Sequence, residues 1–441
     1  MRAEDFDKLA AAVCQPPAGT DLVSLAYSAE STEFIRFNHA QVRQAMHVDQ
    51  HYATLGVVAG TRRATSTVSL SGHFEDDARR LREECTVLAR DLPFVPEDPH
   101  LLLPDKVEST HHTASGTLPS QREVVDAVAR HAGAADLVGL YAGGPVTRAY
   151  ADSRGQRNWH RVESFHFDWS LYLREDQAVK TPYAGTVWEE PAFASRVEQA
   201  RERLVLLERP RKTLPPGEYR AFFTPGATAD LLGILGWGGF SQRALRTGVS
   251  TLQKLHKGEA LFSPQLTLTE AVADGVAPRF QMDGFVKPAS VPLVAEGRAA
   301  GTLVSARSSR EYGVAANGAN AMEAPESLDV APGKLPIADA LKALDTGVYV
   351  SNVHYLNYSD RASCRITGMT RFACFWVEKG ELVAPINVMR FDDSLLRMFG
   401  EGLIALTDQA ELSPDPRTWG SRQLRGVTAP GALVDGFRLT L

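Results

Sequence analysis

Apolar residues recur at every second position through much of the first 72 residues. The runs LVSLAYSA, FIRFNHAQVRQAMHV and ATLGVVAG alternate apolar and polar side chains, the period of strands with one face buried. A short helix carrying Phe6, Leu9 and Ala10 precedes them and is stopped by Pro16-Pro17, and Gly60 fits a turn into a further strand over TRRATSTVSLSG. The period then lengthens. Phe74, Ala78, Leu81, Cys85 and Leu88 return at three- and four-residue steps, which predicts a helix over 74–92 with one apolar stripe. Asp76 and Asp77 near its start suit the positive helix end.

A polar stretch with several prolines follows, and it reads as a linker with a domain boundary near 95–118. His111-His112 falls inside it and is expected to be solvent-exposed. Ser120 and Glu123 form a capping-box pattern ahead of VVDAVARHAG, with Gly133 at the C-cap. Strand-like runs LVGLYAGG, TRAYADS, SFHFDWSLYL and QAVKTPYAG come next, then a helix near 192–208 whose Val197, Ala200, Leu204 and Leu207 share a face. A strand at Tyr219–Phe223, a turn at Thr224-Pro225-Gly226 and an apolar helix ATADLLGILGW open the last part. Residues 237–330 read as strands on long loops. The helix IADALKAL leads to GVYVSNVHYLNYS, and FACFWVE and ELVAPINVMRF make a hairpin about Lys379-Gly380 with Pro385 at an edge or bulge. Helices stand beside sheets without regular βαβ alternation, so the fold class is α+β. The expected organisation is an N-terminal α/β domain (1–95), a linker and central domain (96–215) and a larger sheet-rich C-terminal domain (216–441).

Composition narrows function only by exclusion. The formal net charge is −6 and no stretch gathers a basic patch, which argues against nucleic acid as a partner. No apolar run is long enough to span a membrane. The segment after Arg2 is acidic and lacks the apolar core of a signal peptide. Four cysteines in 441 residues make no disulfide framework, and a cytoplasmic protein is expected.

The segment GVYVSNVHYLNYSDRASCRITGMTRFACFWVEKGELVAPINVMRFDDSLLRMF, Gly347 to Phe399, resembles the C-terminal domain of the TldD/PmbA family. Two further stretches agree in order. FNHAQVRQAMHVDQHYATLGVVAGTRRATSTVSL is similar to the family's N-terminal sheet, and Asp152, Ser153 and Gly155 of YADSRGQ are similar to its central turn. The resemblance implies a division of labour. TldD-like subunits carry His-Glu-x-x-x-His on a helix and act as zinc peptidases, whereas TldE/PmbA-like subunits lack the motif and pair with them. The helix after Pro225 is the matching place, and Gly233, Ile234 and Gly238 stand where the two histidines and the glutamate would lie. None of the three can bind zinc or take a proton. The resemblance therefore implies no zinc in this chain and zinc in a partner subunit, with a TldD-like heterodimer or a homodimer as the assembly and a peptide as substrate.

Three constellations carry candidate chemistry. His354, Tyr355, Asn357, Tyr358, Asp360, Arg361, Arg365 and Arg371 combine aromatic faces with fixed donors, which suits a peptide backbone or carboxylate. The bland alternative is a structural loop whose arginines pair with Asp360, Asp392 and Asp393. Cys364 beside His354 could form a nucleophile pair with Arg361 and Arg365 favouring the thiolate. His354, Cys364 and Cys374 could hold a metal, although their ten-residue spacings are unlike a compact zinc site. Three functions remain open on these residues: a non-catalytic peptidase subunit, a self-sufficient hydrolase using Cys364 or a non-motif metal site, and a regulatory binding protein.

Overall fold

The computed structural model describes every residue of the chain from 1 to 441 except Asp274. A seven-stranded sheet fills the N-terminal part. It contains β1 (Leu22–Asn38), β2 (Gln41–Ala59), β3 (Arg62–Ser69), β4 (Thr110–Ala114), β5 (Asp136–Asp152), β6 (Arg157–Arg174) and β7 (Gln177–Gly185) in the order β3-β2-β1-β5-β6, with β4 and β7 both paired to β6. Odd-numbered side chains of β1 are core, as alternation requires: Val23, Leu25 and Tyr27 register against Val57, Leu55 and Ala53 of β2. Helices α1 (Ala3–Val13) and α2 (Phe74–Asp91) cover that face with Phe6, Leu9, Ala10, Ala78, Leu81 and Cys85. Each large apolar side chain buried there contributes about 1.5–3 kcal/mol relative to exposure. Helices α3 (Gln121–Ala132) and α4 (Glu190–Leu207) extend the layer over Ile35, Phe37, Phe167 and Trp169.

Several sequence expectations are corrected here. The run FIRFNHAQVRQAMHV is two strands, because His39 and Ala40 take positive φ (52° and 53°) and close a two-residue hairpin. No glycine marks that turn. LVGLYAGG and TRAYADS are one strand, β5, whose pairing with β1 lapses around Gly144 and Pro145. Within the expected linker, Thr110–Ala114 adds as a parallel edge strand to β6, leaving His111 and His112 exposed. β1 also pairs along its length with β5, so the boundary expected at 95/96 lies between strands of one sheet. Thr224-Pro225-Gly226 is no free turn: Thr224 is the N-cap and Pro225 the first residue of α5 (Pro225–Gly233).

The C-terminal part is a thirteen-stranded mixed sheet. Its strands are β8 (Gly217–Phe223), β9 (Leu268–Glu270), β10 (Val291–Ala295), β11 (Arg298–Ala299), β12 (Ser327–Val330), β13 (Gly347–Val350), β14 (Asn352–Asp360), β15 (Arg365–Arg371), β16 (Phe375–Glu378), β17 (Glu381–Pro385), β18 (Arg390–Ser394), β19 (Leu403–Pro414) and β20 (Gly426–Leu439). β20 is central, pairing with β8, β12, β18 and β19. The Lys379-Gly380 turn has both φ values positive (52° and 81°), and Pro385 lies in β17 at the end of the sheet path. The fold is α+β, with the larger sheet C-terminal. No helix among the described residues is long and apolar enough to cross a membrane.

Residues 237–330 hold short helices as well as strands, including α6 (Gln242–Arg246), α7 (Gln253–His256) and α8 (Ala306–Tyr312). One buried carboxylate ties two of them together. Glu323 accepts from Ser241 Oγ and Arg243 N at the start of α6, and from Ser305 N and Oγ (both 2.9 Å) at the start of α8. Glu323→Ala strips an acceptor from four buried donors, and a loss on the order of 2–4 kcal/mol is expected. A urea-unfolding midpoint unchanged from the parent would show the two caps to be self-sufficient.

Candidate functional site

Helix α5 forms because Thr224 accepts from Ala227 N (3.3 Å), Pro225 fits the first helical position, and an apolar run follows. Thr224 Oγ1 also donates to Ser351 O (2.7 Å), which fixes the helix start against the β13–β14 junction. After Gly233 the helix tightens into a 3₁₀ turn over Ile234–Gly236. Ile234 is buried in the core, Gly238 has φ +96°, and a side chain on Gly233 would meet Val427 at 3.5 Å. No donor atom for a cation comes from any of the three positions. Among the described residues no three His, Cys, Asp or Glu side chains gather closely enough to hold a metal ion. The residues present therefore do not fit the zinc site of the peptidase subunits.

The loop singled out in the sequence lies against this same helix. A bulge in the β14–β15 pairing between His354 and Asn357 gives Tyr355 a φ of +54° and turns it outward, 76% exposed, with the His354 ring edge-on at 4.7 Å. Tyr358 folds the other way: its hydroxyl donates to Ile234 O (2.9 Å) and lies 3.3 Å from Thr251 Oγ1. Arg361 donates to Trp237 O and stacks 4.8 Å over the Tyr358 ring. Ile234 O also takes the Trp237 N–H of the 3₁₀ turn (2.9 Å), so the Tyr358 hydroxyl is its second donor, and with Arg361 it ties the loop to the C-terminal end of the α5 segment. The six peptide-binding candidates thus divide. His354, Tyr355 and Asn357 face solvent, Tyr358 and Arg361 are occupied by helix carbonyls, and Arg371 lies 5.2 Å over the Phe372 ring with its Nε buried and unpartnered among the described residues. Of the acidic partners expected for the loop arginines, Asp392 does pair with Arg365, whereas Asp393 pairs with Arg397 and Asp360 accepts from Ala362 N and Ser363.

Cys364 and Cys374 are core residues. Both are almost fully buried, and burial pushes the Cys364 thiol up to about 12, the reverse of an activated nucleophile. The nucleophile reading loses its physical basis.

Three charged groups near α5 stand outside the sequence reading. Asp230, on α5, is open to solvent along one side but walled in on the others, and this desolvation raises its carboxyl to about 6. Lys180 on β7 pulls it down and Asp168 on β6 pushes it up; those two form their own pair at 3.1 Å. Burial and the positive charges of Arg371 and Lys180 lower the pKa of His354. Asp230 was traceable as the one acid within an apolar helical run, but nothing in the sequence says that β6 and β7 supply its neighbours. Beside this cluster, between α4 and the starts of α5 and β14, opens a cleft of about 490 Å³. A recess of about 450 Å³ between α1 and α2 is more apolar, but lies on the helix-covered face of the N-terminal sheet, away from α5.

The fold and the helix-loop site define a metallopeptidase-related two-part chain. Residues 216–441, more than half of the sequence, match the PmbA/TldA metallopeptidase C-terminal domain, and the chain belongs to the TldD/PmbA family. No curated protein sequence matches it. Solved structures share its fold over nearly the whole length. TldE from Thermococcus kodakarensis is 13% identical with a TM-score of 0.81, covering 99% of both chains. A proposed modulator of a DNA gyrase from Thermotoga maritima is 15% identical with a TM-score of 0.77, again covering 99% of both. A similarly described protein from Bacteroides thetaiotaomicron is 13% identical with a TM-score of 0.73, covering 99% of this chain and 98% of the other.

Proposed function

We propose that the chain is a non-catalytic subunit of a TldD/TldE-type zinc-dependent peptidase assembly, working in the cytoplasm and helping to enclose and bind a peptide. The observation that carries this reading is the stretch at the end of α5 without metal-binding side chains: Gly233, Ile234 and Gly238, which the family resemblance aligns with the two histidines and the glutamate of a peptidase. A buried isoleucine and a glycine in the left-handed region cannot be turned into metal ligands by a small movement. Hydrolysis would then depend on zinc held by a partner with His-Glu-x-x-x-His. All four cysteines are free and buried, in keeping with a reducing compartment. The shared fold with TldE supports placement in the motif-lacking half of the family.

Metal content by mass spectrometry tests it, on the purified chain alone and co-purified with a TldD-like partner. Near-stoichiometric zinc and peptidase activity are expected only in the pair. Stoichiometric zinc in the lone chain, or chelator-sensitive hydrolysis by it, would overturn the reading.

A further inference from the structure

The cleft between α4 and the start of α5 carries an uncommitted set of hydrogen-bond donors. Arg196, Gln199 and Arg203 recur at three- and four-residue steps on α4, so they share one face, and all three line the cleft. Arg196 lies over the Tyr183 ring at 5.0 Å and Arg203 over the Tyr349 ring at 5.8 Å. Both are half-buried, and neither makes a hydrogen bond or ion pair with a described residue. Other half-buried arginines are paired or capped, as Arg365 is by Asp392 and Arg201 by the carbonyls of His131 and Ala132, although Arg63 and Arg371 also keep an unpartnered Nε. Stacking on an aromatic ring fixes a guanidinium while leaving its N–H fork free, an arrangement suited to bidentate recognition of a planar anion.

The opposite wall adds to the same polarity. Gly226, in the first turn of α5, also lines the cleft, at the positive end of that helix. Lys180 lines it too, already paired to Asp168. Asn352 lines it as well. Glu411 is the one acidic side chain on the lining. Two free guanidiniums in a volume within the range of ligand clefts match a carboxylate carried by a peptide.

We propose that this cleft binds the carboxylate of a peptide, with Arg196 and Arg203 supplying the guanidinium donors. The inference deepens the peptide-binding part of the function above, and rests on it. Fluorescence anisotropy with the full, lone chain tests it, using a labelled hexapeptide with a free C-terminal carboxylate. Two companions separate the sources of the anion: a C-terminally amidated neutral peptide, and an amidated peptide with one internal glutamate. Binding of the free-carboxylate peptide is expected to weaken about tenfold or more in Arg196→Gln/Arg203→Gln, and to a similar extent on amidation. Recovery by the internal glutamate would assign the site to acidic side chains instead of C-termini. Equal binding of neutral and carboxylate peptides, no binding at all, or an unaffected double variant with a parent-like melting curve would overturn the proposal. Those outcomes leave the subunit reading standing, because zinc and activity in the pair do not depend on this cleft being filled in the lone chain.

Discussion

Replacing Arg422 with alanine is expected to destabilise the chain by about 3–5 kcal/mol, because it breaks the buried charged contact that seats the C-terminal part on the N-terminal sheet. Arg422 lies between β19 and β20, is 2% exposed, and inserts its guanidinium into the place where pairing between β1 and β5 lapses. Its Nη1 donates to Ala142 O (3.1 Å) and Ser164 O (2.7 Å), and its Nη2 to Gly144 O (3.0 Å) and Ser164 Oγ (3.0 Å). Its backbone N–H donates to Glu30 Oε2 (3.1 Å), a carboxylate that also accepts from Thr32 Oγ1 and Gln50 Nε2. Burial lowers the pKa of Arg422 to about 10, with Glu30 opposing the shift, so the side chain is charged at neutral pH.

Alanine would leave three buried carbonyls without the donors that Arg422 supplies and Glu30 with Arg148 as its remaining nearby cation. Arg422→Lys should recover only part of the loss, since one ammonium cannot span four acceptors set for a planar fork. Thermal and urea unfolding of the parent and both variants measure this. A variant within about 0.5 kcal/mol of the parent would mean that water replaces the guanidinium and that the other contacts between the two parts, such as Gln156 with Gly284 O and Arg307 with Asp98, suffice to hold them.

Arg422 also shows where sequence reading stops. Local chemistry was legible: the Ser120–Glu123 capping box, the stripe of α2 and the Lys379-Gly380 turn depend on residues within a few positions of one another. The His39-Ala40 hairpin was not, because it has no glycine: histidine takes positive φ only occasionally, and alanine has no preference for it, so the strands on either side impose the turn. β4 was read as linker because an edge strand with both faces largely wet has no alternation to show. The break between LVGLYAGG and TRAYADS was visible as Gly144-Pro145, yet its purpose was not: the residue that fills it comes 277 positions later, Arg422 after Pro145. The candidate loop was located, but the tie that Tyr358 and Arg361 make to the end of the α5 segment exists only once β14 and α5 are packed together.

The same seam predicts sensitivity to acid. His160 and His166 lie an even number of residues apart on β6, so both point toward the C-terminal part. His160 Nε2 contacts Val276 O (3.0 Å), its Nδ1 has no partner among the described residues, and its ring stacks on His112 at 5.0 Å. Burial, with the nearby charges of His112, Lys287 and Arg148, lowers its pKa to about 4. His166 falls to about 4 through burial and the charge of Arg422, against the opposing pull of Asp168 and Asp415.

Both folded-state values lie below the ordinary histidine value, so the unfolded chain binds more protons in between. Stability from the neutral histidines is complete above about pH 6.5 and is lost as pH falls toward 4. The loss is about 1.4 kcal/mol per pH unit for each, or on the order of 2 kcal/mol each by pH 5. Asp230 runs the other way: its raised pKa makes protonation easier in the folded state, so it offsets part of the loss as pH falls through 6. Urea unfolding at pH 7 and pH 5 should show a steep drop for the parent and a shallower one for His160→Gln/His166→Gln. An identical drop in the double variant would transfer the acid sensitivity to carboxylates elsewhere and free the β6 seam from any titrating role.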